Sequence, residues 1–281
     1  AGIYGLRMLG MFIVLPVLAL YAASLPGGGD PAMIGFAIGV YGLAQAVLQI
    51  PFGWASDRVG RKPAIAFGLV VFAAGSFVAA WAPDIVWLAA GRTLQGAGAV
   101  SAVVMALAAD LTRDEVRTRA MAMIGITIGA TFAVSLVAGP VLGSTIGVPG
   151  IFVLTGLLAI AAIAVVQFGV PDPVAGARGH EGAGERVALR RVLADPQLLR
   201  LDFGIFALHA ILMALFVQVP FALRDAGIAP SRHWMVYLPV LVVSVGVVLP
   251  LFRSVDRPGR GKAVLTGAIA ALVASLLILA A

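Results

Sequence analysis

Arg92 and Gln95 are polar residues inside a long apolar stretch of this 281-residue chain. Their i, i+3 spacing puts both side chains on the same face of a helix. If the stretch crosses a membrane, an arginine there costs about 2.5 kcal/mol or more unless it is paired or faces water. The pair therefore predicts a polar cavity that can hold a proton or a polar substrate group. The alternative is an arginine whose side chain extends to the nearby membrane surface.

Three further ionisable residues lie in or near apolar stretches. A histidine can gain or lose a proton near neutral pH, so His209 could carry a proton, with Asp202 two turns away on the same face as a relay. A neutral hydrogen-bonding His209 and an Asp202 solvated at the membrane surface are the alternatives. Arg7 predicts a functional site if it is buried, and a surface anchor if its helix begins at residue 3.

Tyr41, Gln45 and Gln49 recur at i, i+4 and i+8 and form one hydrogen-bonding stripe on an otherwise apolar helix. Such a stripe lines a water-filled cavity or bonds a neighbouring helix. Because its members are neutral, a cavity lined by them would suit a bulky, apolar, lightly hydrogen-bonded compound.

The composition indicates a protein whose outer solvent is lipid. Hydrophobic residues make up 61% of the chain and charged residues 11%, and there is no cysteine. Soluble domains carry about 25% charged residues. The absence of cysteine excludes disulfides and thiolate metal ligands, and the charges cluster between apolar runs, which argues against a nucleic-acid surface. No metal or cofactor is expected.

Runs of about 20 apolar residues predict nine membrane spans. They cover residues 3–24, 32–53, 64–82, 85–109, 119–144, 150–170, 199–223, 234–252 and 263–281. Arginine and lysine concentrate in alternate loops, and the opposite loops hold only Arg224 and Arg232. By the positive-inside rule, the basic loops and the N-terminus are predicted to be cytoplasmic, in a multi-pass inner-membrane protein.

An internal repeat predicts two related bundles. Residues 51–61 align without gaps on residues 250–260, at an offset of 199 (250 − 51), and the two segments share Pro, Asp, Arg, Gly and Arg. The offset equals six spans plus one polar linker, as in parallel six-helix repeats. We therefore predict an all-α membrane protein with a six-helix bundle at 1–170, a cytoplasmic linker at 171–198 and the first three helices of a second, incomplete bundle at 199–281. The linker is either partly an amphipathic helix or a solvated tether.

Three motifs resemble those of the major facilitator superfamily. Residues 53–62 are similar to its G-x-x-x-D-R-x-G-R-K loop, residues 92–96 to its R-x-x-Q-G signature, and residues 139–143 to the G-P-x-x-G element of its drug:proton antiporter branch. Together with the opening residues 6–16, these motifs most resemble the YajR-like efflux proteins. Ser135 and Ser144 replace glycines of the full antiporter motif.

The resemblance implies roles for particular residues. It makes the first motif a conformational latch that closes against an eleventh span. The latch residues here are Gly53, Asp57, Arg58, Gly60, Arg61 and Lys62. Asp110 lies at the cytoplasmic end of the fourth span, and this position makes it the expected local partner of Arg61. Positive-inside anchoring alone is the alternative. The resemblance also links Arg92 to proton transfer or substrate binding. It links the bend at Pro140, with Gly139 and Gly143, to antiport.

These inferences predict a secondary active transporter, a monomer that exchanges protons for small amphiphilic compounds across the lipid bilayer. A metabolite symporter or uniporter of the same fold is the alternative. No Walker-type phosphate loop occurs, so ATP is not expected to drive it. A membrane-embedded enzyme is disfavoured because no paired intramembrane carboxylates, H-E-x-x-H or Ser/His pair is present.

Overall fold

The computed structural model describes residues 2–171, 194–255 and 260–280, and within these ranges the chain is helical with no strand. The helices are α1 (Gly2–Ser24), α2 (Pro31–Val59), α3 (Arg61–Ala80), α4 (Ile85–Ala97), α5 (Ser101–Asp110), α6 (Asp114–Thr145), α7 (Gly147–Gly169), α8 (Pro196–Asp225), α9 (Trp234–Val255) and α10 (Arg260–Ala280), with a 3-10 turn η1 (Pro230–Arg232). Two compact units result, Ala1–Trp234 and Met235–Ala281.

Seven membrane-crossing helices are found among the described residues, judged by length and apolar composition, and α4 and α5 together form one of them. They correspond to the first seven predicted spans. Helices α9 and α10 lie at the eighth and ninth. Most of the predicted linker and residues 256–259 of the second repeat lie outside the described residues. The division at 171–198 remains a prediction.

Helix starts follow the sequence closely where an aspartate precedes the apolar run. Asp30 accepts a hydrogen bond from the backbone N–H of Ala32 at 2.9 Å, and Asp84 accepts from Val86 and Trp87 at 2.9 Å each. Asp195 caps α8 in the same way. These caps satisfy N–H groups that the first helical turn leaves without partners.

The fourth span, predicted as a continuous helix over 85–109, is broken between α4 and α5. At the break, Ala99 N–H bonds the Ala97 carbonyl and Val100 N–H bonds the Gly98 carbonyl, both at 2.8 Å. A side chain on Gly98 would collide with the Gly68 carbonyl of α3. Glycine therefore lets the chain turn there against its neighbour.

The bundle has two ends that serve as reference points. At the Arg61 end, α2 joins α3 and α5 joins α6, and Arg61 bonds Asp110. At the Asp84 end, α1 joins α2 and α3 joins α4, and Ile85 N–H bonds the Pro26 carbonyl at 3.1 Å. The helix α2 runs to Val59, beyond its predicted end at residue 53, so the predicted loop is a helix end followed by a turn at Gly60 (φ +100°).

Helix α8 packs on the bundle through one half only. Phe216 and Pro220 are buried, and the Phe216 ring meets that of Phe132 edge-on at 5.9 Å. From Pro196 to Ala210 every residue is exposed except Ala207, which is half-buried. Within the first unit, α8 therefore contacts the bundle near the Asp84 end.

Candidate functional site

Arg92 is buried in the interior of the bundle, with 1% of its surface exposed. One of its terminal nitrogens donates to Gln95 Oε1 at 2.8 Å, and Gln95 Nε2 donates to Ser76 Oγ at 2.7 Å. Ser76 in turn donates to the Phe72 carbonyl of its own helix at 2.8 Å. This chain of bonds holds the arginine inside the bundle, so in this structure it does not extend to the membrane surface.

Arg7 is also buried, at 2% exposed. It donates to Ser101 Oγ at 2.7 Å, to the Tyr41 hydroxyl at 3.1 Å and to Gln45 Oε1 at 3.3 Å. Gln45 Nε2 lies 3.5 Å from Gln49 Oε1. The stripe on α2 thus bonds a neighbouring helix, which is one of the two alternatives left open by its spacing, and half-buried Gln45 and Gln49 extend it toward the Arg61 end.

Tyr41 connects the two arginines. Its hydroxyl accepts from Arg7, and the Arg92 guanidinium lies over its ring, 4.6 Å from the centroid. The electron-rich face of the ring attracts the cation, more strongly where water is excluded. We call Arg7, Tyr41, Gln45, Arg92 and Gln95 the arginine cluster.

Glycines bring the helices close enough to form this cluster. A side chain on Gly96 would collide with the Tyr41 carbonyl, and one on Gly91 would lie 2.6 Å from the backbone nitrogen of Ala79. In contrast, Gly35, Gly39, Gly125 and Gly129, which have helix-packing spacing, face open space in the described structure. Small-residue spacing alone therefore does not identify the helix contacts within this unit.

At the Arg61 end, one arginine lies between two carboxylates. Arg61 pairs with Asp57 Oδ1 at 2.5 Å and with Asp110 Oδ2 at 3.1 Å, and it donates to Ser56 Oγ at 2.6 Å. The structure thus brings together Asp57, Arg61 and Asp110, and α2 and α3 are tied to the end of α5.

The other residues of the G-x-x-x-D-R-x-G-R-K motif surround this ion pair. The Gly53 carbonyl accepts from Ser56 Oγ at 2.7 Å, and Gly60 provides the turn. Arg58 is exposed and Lys62 is half-buried.

His209 and Asp202 lie apart from the arginine cluster. His209 is exposed, and its Nδ1–H donates to the Ile205 carbonyl of its own helix at 2.9 Å. Asp202 is exposed, two turns from His209 toward the start of α8. No hydrogen bond of the described residues joins either side chain to Arg7, Arg92 or Gln95.

The G-P-x-x-G element of α6 packs on α1 next to Pro16, the proline inside α1. A side chain on Gly139 would lie 2.5 Å from the Ile13 carbonyl and 3.2 Å from the Pro16 ring, and one on Gly143 would lie 3.2 Å from Val17. Pro140 lies inside α6, where it removes one backbone hydrogen bond. The element therefore sets the crossing of α1 and α6.

A cavity of about 410 Å³ next to this crossing contains a residue that the sequence analysis missed. His233 lines it together with Tyr21, Pro140 and Gly143, and is 1% exposed. Burial lowers the pKa of His233 below its ordinary value of 6.5, against a smaller opposite effect of its hydrogen bond to the Ile228 carbonyl. Its position after a polar loop gave no signal of burial.

We expect the η1 loop to release from the bundle as the pH falls below about 6.5. The released loop binds a proton on His233 more readily than the docked loop does, so acid weakens docking, by up to about 1.4 kcal/mol per unit of pKa difference. Hydrogen exchange of residues 226–234 in the full-length protein should rise with acidification. His233→Gln should remove this rise, and an equal rise in the variant would contradict the assignment.

Comparisons with known proteins place the whole chain in one family. The sequence profile described as Major Facilitator Superfamily matches residues 1–281. The inner membrane transport protein YajR of Escherichia coli is 44% identical over 277 residues, covering 99% of this chain and 61% of that protein. The class G tetracycline resistance protein of Vibrio anguillarum is 28% identical over 242 residues, covering 84% of this chain and 57% of that protein. The chain thus spans about three-fifths of the length of these relatives.

The fold is also that of solved transporters. The crystal structure of a D-xylose-proton symporter aligns with a TM-score of 0.67, covering 92% of this chain and 68% of that chain at 15% sequence identity. At this identity the likeness extends to the fold alone. It agrees with the all-helical, multi-span architecture described above.

Proposed function

Because this chain belongs to the Major Facilitator Superfamily, a family of multi-pass membrane transporters, we propose that the protein containing it exports small amphiphilic compounds in exchange for protons. The observation that carries the proposal is the arginine cluster, a charged and hydrogen-bonded site in the interior of an apolar bundle. Charged groups at this depth serve transport pathways far more often than packing. The similarity to a tetracycline resistance protein supports export.

The positions of the charges support an orientation. The basic Arg61 end is proposed to face the cytoplasm, with the N-terminus on the same side, in the inner membrane where the name of the YajR relative places that protein. With this orientation, α8 contacts the bundle near its outer side, through the rings of Phe216 and Phe132. We further propose that the transporter acts as a monomer.

The proposal is tested by imposing a pH gradient on proteoliposomes that contain the full-length protein. An amphiphilic fluorescent dye should move against its own gradient in the direction opposite to the protons. Transport that follows only the dye gradient would overturn proton exchange and favour the uniporter alternative.

We further propose that the ion pairs at the Arg61 end are a latch that favours one state of the transport cycle. Asp57 is 40% exposed and bonded to Arg61, so its contribution to folding is small. It is also far from a substrate site in the middle of the bundle. Its effect should therefore be on the balance between states, through the carboxylate that meets another helix N-terminus in the closed state.

Asp57→Asn is expected to shift the ratio of inward-open to outward-open protein about two- to fivefold, because about 0.3–1 kcal/mol of charge–dipole energy is lost. Spin-label distances between the Arg61 ends of the second and eleventh spans of the full-length protein measure this ratio. Asp225→Asn, which removes an exposed carboxylate paired with Arg224, is the matched control. Unchanged distance distributions in Asp57→Asn would leave membrane anchoring as the role of the loop.

A further inference from the structure

The arginine cluster has two cations and only neutral protein partners. Arg7 bonds a serine, a tyrosine and an amide, and Arg92 bonds an amide and lies over an aromatic ring. Neither takes part in an ion pair among the described residues. The carboxylates whose side chains are described lie at helix ends or on α8, and they are Asp30, Asp57, Asp84, Asp110, Glu115, Asp195, Asp202 and Asp225.

The break in the fourth span adds to this positive charge. Arg7 donates to Ser101, which is the first residue of α5. The N-terminus of α5 has no side-chain cap, so its first N–H groups keep the positive end of the helix dipole. A cation beside the positive end of a dipole is unfavourable unless an anion joins them.

Each guanidinium also has an unused donor. The Nε atoms of Arg7 and Arg92 are buried and have no hydrogen-bond partner. A buried donor without a partner is costly, which makes it a strong attractor for an acceptor. The planar edge of a guanidinium presents paired donors whose geometry matches the two oxygens of a carboxylate.

From these observations we infer that the arginine cluster binds the carboxylate of an amphiphilic organic anion. The inference rests on the proposed function in one respect, since it names the charge of the compound that is carried. It also replaces the expectation of an apolar, lightly hydrogen-bonded compound, because Tyr41 and Gln45 accept hydrogen bonds from the Arg7 cation. The 3.3 Å hydrogen bond from Arg7 to Gln45 is the longest in the cluster. An anion that enters past half-buried Gln45 and Gln49 would replace Gln45 as the acceptor of this bond.

The test compares three ligands that share a benzene ring and differ in charge. Full-length protein in lipid nanodiscs is titrated at constant ionic strength with benzoate, benzamide or benzylamine, and its thermal unfolding is followed. A ligand that binds only the folded protein raises the unfolding temperature in a saturable way. Benzoate should do so, and benzamide and benzylamine should not.

Variants assign the effect to the cluster. Arg7→Gln removes one cation, and Arg92→Lys keeps the charge but loses the planar donor pair. Each should weaken benzoate binding about tenfold or more, the effect expected of one lost charge-assisted hydrogen bond. Arg224→Gln, at an exposed arginine, should bind benzoate as the wild type does.

Two outcomes would overturn the inference. One is an equal shift with benzoate and benzamide, and the other is full benzoate binding in both cluster variants. If Arg7→Gln does not fold, Arg92→Lys alone decides. Because unfolding is measured without any gradient, loss of benzoate binding with intact proton exchange would refute only this inference, and the reverse result would refute only the proposed exchange.

Discussion

Arg92→Ala is expected to abolish proton-driven export, to the rate of protein-free liposomes, while leaving the protein folded. The substitution removes a buried cation that has no carboxylate partner among the described residues, so it also removes the cost of about 2.5–3.5 kcal/mol of holding that charge in the membrane interior. Removing this cost offsets part of the destabilisation caused by the cavity left under Tyr41 and by the lost hydrogen bond to Gln95. Folding should therefore change less than transport does.

The measurement is the initial rate of dye transport in proteoliposomes with an imposed pH gradient, at equal amounts of inserted protein. Arg224→Ala is the control, because that arginine is exposed and pairs with the adjacent Asp225. Undiminished transport by Arg92→Ala would show that the buried arginine has a structural role only.

Gly91→Ala is expected to lower the free energy of unfolding of the bundle by about 3 kcal/mol or more. This is the upper end of the range of about 1–3 kcal/mol that overpacking usually costs. Gly91 and Gly75 face each other where α4 crosses α3. A side chain on Gly91 would lie 2.6 Å from Ala79 N and 2.8 Å from the Gly75 carbonyl, and one on Gly75 would lie 2.5 Å from Gln95 N. These are backbone atoms, so the helices must separate, and Arg92 moves with α4.

The unfolding temperature of the full-length protein in nanodiscs measures this effect. Gly39→Ala is the matched control, since no atom lies within 4 Å of the added carbon and alanine favours a helix over glycine by about 0.5–1 kcal/mol. We expect the control to unfold at the wild-type temperature or slightly above it. Equal unfolding temperatures for the two variants would contradict the close crossing of α3 and α4.

Several features of the site follow from local sequence. The i, i+3 spacing of Arg92 and Gln95 predicts their shared face, and the two residues are hydrogen-bonded. The pairing of Arg61 with Asp110 is expected from the position of Asp110 at the end of the fourth span, and the structure has the two in contact. The first seven spans are apparent because 20 apolar residues have few alternatives to a membrane helix.

Other features depend on which helices become neighbours, and spacing does not contain that information. The stripe of Tyr41, Gln45 and Gln49 was compatible with a cavity wall, and only the proximity of α1 shows that it bonds Arg7. The glycines at 96 and 98 indicate the break before α5. The continuous apolar run over 85–109 instead favoured the prediction of one unbroken helix. The burial of His233 depends on the packing of η1 against α1 and α6, which a polar loop sequence does not reveal.

The most direct test of the account is whether a substrate gradient moves protons. Proteoliposomes with the full-length protein are loaded with a transported dye and a pH-sensitive fluorophore, diluted without a pH gradient, and clamped at zero membrane potential. Coupling between two ligands is reciprocal, so dye efflux should drive protons inward and acidify the lumen. The acidification should be absent with Arg92→Ala and with protein-free liposomes. Dye efflux by the wild-type protein without any change in luminal pH would contradict proton exchange.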